Sequence, residues 1–259
     1  MTVWITGASS GIGEACSYGY AEKGCRLILT ARPSARLDEV AGRCSERGAE
    51  VVVLPYDFLK ADGVEELCTC AWNAFAGIDI LFLNAGISQR ASVEDTSMEM
   101  ARNIMEVDYF APVAIAKSIL PSMVQAGGGK IAVTTSIAGL FGFPLRCAYS
   151  SAKHALYGFF ETLQAEYFEK GIRVTIVCPG RVRTNISLNA LVKGGKRYGL
   201  MDPGQDGGIS AGKATKKIIR AIENNKREVL VGGKELLMVG IKRFLPGVCA
   251  RMARKISAV

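Results

Sequence analysis

Tyr149 and Lys153 stand four residues apart in a stretch whose apolar residues (Ala155, Leu156, Phe159, Leu163) keep helical spacing, so both side chains share one helix face. A phenol titrates near ~10, too high for easy proton exchange at neutrality, and a neighbouring ammonium group favours the phenolate and lowers that value. The pair therefore suits proton donation to a developing alkoxide. Ser136, thirteen residues upstream at the end of an apolar run, can bring its hydroxyl to the same carbonyl oxygen. A tyrosine and a lysine at this spacing decorate many helix surfaces. The upstream serine and a nucleotide-type turn are what favour the chemical reading.

That turn is Thr6-Gly7-Ala8-Ser9-Ser10-Gly11-Ile12-Gly13, which ends an apolar run (Val3, Trp4, Ile5) and opens a helix-compatible segment from Glu14 to Lys23. Gly7, Gly11 and Gly13 would let backbone N–H groups approach a diphosphate, whose charge is favoured at a helix N-terminus. Ser9 and Ser10 can donate to phosphate or ribose, or cap the helix that follows. Selection of NAD needs an acidic acceptor for the ribose diol at the end of the second strand. Here that end reads Leu29-Thr30-Ala31-Arg32. Ala31 removes the carboxylate and Arg32 supplies a planar cation for a 2′-phosphate, so the expected cofactor is NADP(H). The alternative for Arg32 is a solvated surface arginine.

With Asn84-Ala85-Gly86 after a further apolar run (Ile80 to Leu83), these elements resemble the short-chain dehydrogenase/reductase family from Val3 to about Asn189. The resemblance implies Ser136, Tyr149 and Lys153 as the catalytic set and Ile12 within the cofactor turn. It also implies that Asp57 and Phe58 contact the adenine, that Asn84 braces the central sheet, and that Ala85 and Gly86 leave room for ribose. Pro179, Gly180 and Thr184 would stand beside the nicotinamide carboxamide, with Tyr149 and Lys153 also touching the cofactor. One residue departs from the pattern: Asp108 occupies a place where the family usually has asparagine, shaping a water relay to the lysine partly through its main-chain carbonyl. A carboxylate there alters the relay or is neutral in effect.

These residues need strand ends to hold them. Apolar, β-branched runs recur at 3–6, 26–30, 50–54, 79–83, 130–135, 173–177 and 228–231, separated by segments of helical pattern at 12–23, 35–47, 63–75, 98–125, 149–170 and 210–224. Strict alternation predicts an α/β fold, a doubly wound Rossmann-type parallel sheet with helices on both faces. Ligands then belong at the carboxyl ends of the strands, where the glycine-rich turn, Asn84, Ser136 and Pro179-Gly180 all fall.

At 259 residues, with 49% hydrophobic content and no Pro/Ser-rich linker, the chain reads as one domain, 1–259. It is expected to carry a substrate lid at about 184–208 and a C-terminal segment at about 234–259. Eight scattered cysteines lack a Cys-x-x-Cys and read mostly as small buried hydrophobes. His154 is the sole histidine, which leaves no ligand set for zinc and no Ser-His-Asp triad, so no metal is expected. The net charge of +8 favours anionic partners, but no nucleic-acid motif accompanies it. No apolar stretch reads as an uninterrupted bilayer span, and Met1 lies directly before the first strand, leaving no room for a leader; a cytoplasmic location is expected.

The function these features imply is NADPH-dependent reduction of a ketone or aldehyde. Two rivals are a non-catalytic NADP(H)-binding sensor or scaffold, opposed by the presence of both Tyr149 and Lys153, and an oxidative NAD-linked alcohol dehydrogenase, opposed by Ala31 and Arg32. The lid wording Thr184-Asn185-Ile186-Ser187-Leu188-Asn189-Ala190 is similar to the branch of the family that contains acyl/alkyl-dihydroxyacetone-phosphate reductase. That similarity implies a phosphorylated lipid ketone. Ile186, Leu188, Leu191, Leu200 and Met201 would then cover an apolar body, while Lys193, Lys196 and Arg197 receive an anionic head. A stripe of Leu237, Ile241, Phe244, Leu245, Val248 and Met252, flanked by Lys242, Arg243 and Arg254 and bent at Pro246-Gly247, can lie on an anionic membrane or cover the core or another subunit. The long segments 98–125 and 149–170 are expected to build a homodimer or homotetramer.

Overall fold

A computed structural model describes residues 1–60, 62–254 and 256. In chain order it contains β1 (Thr2–Thr6), α1 (Gly11–Ala21), β2 (Arg26–Thr30), α2 (Ala35–Ser45), β3 (Val51–Val53), α3 (Val64–Ala74) and β4 (Ile80–Leu83). There follow α4 (Met98–Met105), α5 (Ala111–Gln125), β5 (Gly129–Thr134), α6 (Cys147–Tyr167), β6 (Ile172–Pro179), β7 (Val182–Arg183) and α7 (Pro203–Asp206). The chain closes with β8 (Ile209–Ser210), α8 (Ala211–Glu223), β9 (Glu228–Val231), α9 (Leu237–Phe244) and α10 (Pro246–Ala253).

Seven strands form one sheet in the order β3-β2-β1-β4-β5-β6-β9, and every pairing in it is parallel. Successive side chains of a strand face opposite ways, so a sheet covered on both sides requires apolar residues at every position. β1 shows this directly. Val3 and Ile5 join Cys16, Tyr20, Leu37, Val40 and Ile218 from α1, α2 and α8. Trp4, between them, joins Leu67, Ile115, Ile119, Leu156 and Phe160 from α3, α5 and α6 on the other side. The expected doubly wound α/β sheet is therefore what the chain forms. Its order reverses between β1 and β4, the switch point at which such sheets bind ligands.

Residues 98–125 form one long helix, but it is not uniform. Between α4 and α5, Glu106–Phe110 widen into a π turn, and the Ala111 N–H returns five residues to the Glu106 carbonyl. Pro112 supplies the physical reason, because it has no N–H to give the Asp108 carbonyl four residues earlier. The widened turn carries Asp108 inward, where it is buried. Contrary to the sequence expectation, this 28-residue helix is long and apolar enough to cross a bilayer by length and composition. It serves instead as a core helix, with Val107, Ala111, Ile115, Ile119 and Met123 packed beneath the sheet.

A feature the sequence did not reveal is the two-stranded pairing of β7 with β8. It joins both ends of the 184–208 segment at one point beside the sheet edge. At the C-terminus the apolar stripe splits as expected at Pro246, into α9 and α10. One face is core: Met238 and Cys249 pack on Ile137, Phe141 and Cys178. The other exposes Leu237, Phe244, Leu245, Val248 and Met252. The end of the anticipated segment, 255 and 257–259, lies outside the described residues.

Candidate active site

The glycine-rich turn forms at the carboxyl end of β1 because its glycines adopt backbone that side chains obstruct. Gly7 and Gly11 have φ of +69° and +59°, and a Cβ on Gly13 would lie 2.2 Å from the Gly7 carbonyl oxygen. Ser10 occupies the N-cap of α1, yet its side chain makes no capping bond. Its hydroxyl thus remains available to a ligand at the helix start. At the end of β2, Ala31 is buried and Arg32 is exposed on the same cleft. Asp57 and Phe58, beyond β3, complete this end; Asp57 also caps its own turn by accepting from the Leu59 N–H at 3.2 Å.

Asn84 ties three central strands together. Its Oδ1 accepts from the Thr134 hydroxyl at 3.0 Å, its Nδ2 donates to the Thr6 carbonyl at 3.3 Å, and its backbone N–H donates to the Thr6 hydroxyl at 3.0 Å. Ala85 and Gly86 follow on the cleft wall, and a Cβ on Gly86 would crowd Asp108 and Lys153 at 3.3 and 3.4 Å. Pro179, Gly180 and Thr184 line the opposite wall after β6.

Ser136, Tyr149 and Lys153 converge at the middle of this cleft, whose volume is about 350 Å³. The Ser136 hydroxyl, just beyond β5, donates to the Pro179 carbonyl at 3.4 Å and accepts the Ala138 N–H at 3.1 Å. Lys153 Nζ donates to the Thr134 carbonyl at 3.1 Å and lies 5.7 Å from the Tyr149 ring centroid. Asp108 pairs with Lys153 at 3.3 Å, while its other oxygen accepts the Ile87 N–H at 2.7 Å. Burial pushes the Asp108 carboxyl up, against the pull of Lys153 and that N–H. The Tyr149 phenol is also pushed up, first by burial and then by the Asp108 charge, while Lys153, Arg146 and Ser136 pull it down. The lysine effect thus has the sign anticipated from sequence, but desolvation outweighs it.

The lid is where the sequence reading needs correction. Lys193 projects to solvent and pairs with Asp95 at 2.7 Å, and Lys196 and Arg197 are exposed outside the cleft lining. Of the apolar lid residues only Ile186 lines the cleft; Leu188, Leu191, Leu200 and Met201 do not. Lid residues at the cleft are instead polar: Asn185, Asn189, Asp202 and Gln205. Long-range neighbours also escaped sequence reasoning. Gln89 caps α6 from a distant loop, its Oε1 accepting the Ala148 and Tyr149 N–H groups at 2.9 and 3.3 Å. Glu235 reaches from the C-terminal segment to accept the Arg181 N–H at 2.7 Å. Nothing in their local sequence signals either role.

Among the described residues, no group of three or more His, Cys, Asp or Glu can hold a metal ion. All eight cysteines are free, six of them buried.

The model of the short chain dehydrogenase family matches residues 1–191. The chain belongs to that family. Mouse dehydrogenase/reductase SDR family member 7B is 35% identical over 255 residues, covering 96% of this chain and 79% of the relative. The SDR family protein 7-like of Drosophila melanogaster is 38% identical over 233 residues, covering 88% and 72%. Among solved structures, an alcohol dehydrogenase from Thermococcus sibiricus complexed with 5-hydroxy-NADP is 28% identical, with a TM-score of 0.76 over 90% of this chain and 96% of that one. A family member from Burkholderia phymatum in complex with NAD is 23% identical, with a TM-score of 0.85 over 95% and 94%, and shares the fold. As a short-chain dehydrogenase, the protein is an oxidoreductase that uses a nicotinamide cofactor and acts on CH–OH or C=O groups of small molecules.

Proposed function

We propose that the protein is an NADPH-dependent reductase of ketones or aldehydes. The observation that carries this reading is the convergence of Ser136, Tyr149 and Lys153 on a cleft whose far end is a glycine cradle flanked by Ala31 and Arg32. The cradle fits the diphosphate, with Gly7, Gly11, Gly13 and Ile12 around it and the Ser9 and Ser10 hydroxyls beside it. Arg32 would hold the 2′-phosphate and Asp57 and Phe58 the adenine, Ala85 and Gly86 would leave room for ribose, and Pro179, Gly180 and Thr184 would hold the carboxamide. NADPH bound there supplies the hydride.

The chain's own residues do the rest. Ser136 donates to the substrate carbonyl oxygen and polarises it. Tyr149 delivers its phenolic proton to that oxygen as negative charge develops. Lys153 counters the resulting phenolate and reaches the nicotinamide ribose. Asp108 holds Lys153 against the Thr134 carbonyl, and its own carbonyl, which Pro112 cannot reach, offers a site for relay water.

The substrate is hydrophobic, a phosphorylated lipid ketone by resemblance of the lid. The domain is single, with a lid at about 184–208. Outer faces of α4, the π turn, α5 and α6, which expose Met98 and Phe110, join copies into a homodimer or homotetramer. The location is cytoplasmic, with peripheral membrane contact through α9 and α10. A panel of ketones, aldehydes and alcohols with both cofactors tests the reading. Reduction with NADPH is expected to dominate, and Tyr149→Phe to lower kcat at least a thousandfold while NADPH still quenches intrinsic fluorescence. Near-native turnover by that variant removes Tyr149 as the acid.

A further inference from the structure

Arg146 stands at the N-cap of the catalytic helix, three residues before Tyr149, and lines the cleft. Its guanidinium carbon is 6.0 Å from the Tyr149 ring centroid. One edge is fixed, because Nη1 donates to the Ser88 hydroxyl at 2.5 Å and to the Gln89 carbonyl at 3.4 Å. Among the described residues, Nη2 has only a 3.6 Å approach to Asp202 Oδ2. That carboxylate is committed elsewhere: the same oxygen accepts from Arg90 at 2.7 Å, and the other accepts the Gly204 and Gln205 N–H groups at 2.7 and 3.2 Å. Two guanidinium groups therefore share one carboxylate at the wall of the reacting centre. Burial also opposes the charge on Arg146, which Tyr149 and Asp202 support.

Resting on the reductase reading of this cleft, we propose that Arg146 is its specificity-determining anion anchor. The substrate carries a carboxylate or phosphate within a few bonds of its carbonyl. An oxygen anion on the Nη2 edge completes a planar fork that Asp202 only approaches. The neighbouring wall is apolar, formed by Phe143, Pro144, Ile186 and Met238. It accepts the body of the same molecule. Arg146 thus takes the role that the lid cations Lys196 and Arg197 cannot reach.

The test is calorimetry on the protein in the presence of NADPH, with octyl phosphate, octanoate and 1-octanol as probes. Wild type is expected to bind at least one of the two anions tenfold or more tightly than octanol, and the stronger anion identifies the group. Arg146→Gln is expected to lose that advantage at least tenfold, and Arg146→Lys, which keeps the charge without the fork, to recover part of it. Lys196→Ala/Arg197→Ala should keep it in full. Equal binding of anions and alcohol by wild type overturns the proposal, as does a preference that survives in Arg146→Gln or disappears in the lid double variant. No turnover is needed. If no carbonyl compound is reduced with either cofactor, the reductase reading falls while the anion preference and its dependence on Arg146 are still measured.

Discussion

At Arg32 the decisive contrast is between a phosphate partner and a spectator on the surface. Hydrogen bonds to charged groups contribute about 1.5–3 kcal/mol, so loss of the 2′-phosphate contact corresponds to roughly a ten- to hundredfold change. Arg32→Ala should therefore raise KM for NADPH tenfold or more and leave KM for NADH nearly unchanged; equal losses with both cofactors would sink the assignment. At Asp108 the sign comes from the raised Tyr149 phenol. Reduction requires the protonated phenol, so the rate declines as pH climbs through its pKa. The Asp108 charge contributes to raising that pKa. Asp108→Asn removes the charge and should move the alkaline limb of the pH profile for reduction towards lower pH. A limb that stays in place means that Tyr149 does not feel the carboxylate. The residue types at this centre were legible because their chemistry is written in side chains at fixed spacing along one helix. What the spacing could not convey is desolvation, which depends on everything packed around the phenol and reverses the net shift.

Elements were legible where apolar period and turn chemistry agree, as in β2 at 26–30 and β9 at 228–231, whose bounds coincide with the apolar runs. The π turn at 106–110 was hidden, since helical periodicity changes little when one turn widens; Pro112 was the available signal. The start of α6 was equally opaque. Arg146 is its N-cap and offers no capping acceptor, because Gln89 supplies one from 59 residues away. Gln89 is fully buried, so Gln89→Ala leaves two N–H groups without an acceptor at the start of α6. Unsatisfied buried donors cost about 1–3 kcal/mol each, and the loss should appear in urea denaturation as a lower midpoint. A fall in kcat should accompany it, as Tyr149 loses the acceptor that fixes its backbone. Unchanged stability together with unchanged kcat would reduce Gln89 to a bystander.

For the molecule as a whole, the doubly wound parallel sheet follows from alternation and right-handed crossovers, but its strand order and the course of the lid do not. The lid's basic residues cluster in sequence between 193 and 197, yet β7–β8 pairing and the Lys193–Asp95 bridge turn them away from the cleft. In the C-terminal helices the apolar stripe itself stays largely exposed, at Leu237, Phe244, Leu245, Val248 and Met252, while Met238 and Cys249 pack on the core. Met238 reaches the cleft wall, while Phe244 and Leu245 are 77% and 56% exposed beside Lys242 and Arg243. An apolar ridge flanked by cations, beside the cleft wall, suits an anionic lipid surface. Burying a leucine or phenylalanine side chain contributes about 1.5–3 kcal/mol when complete, so even partial insertion of two changes partitioning about tenfold. In flotation assays the protein should bind vesicles of phosphatidylserine and phosphatidylcholine more strongly than phosphatidylcholine alone, with binding reduced by salt. Phe244→Ser/Leu245→Ser should lower that binding at least tenfold while the reductase rate on a water-soluble ketone persists. If the double variant floats like wild type but sediments as a smaller species, the ridge joins subunits and the lipid contact is lost as an explanation.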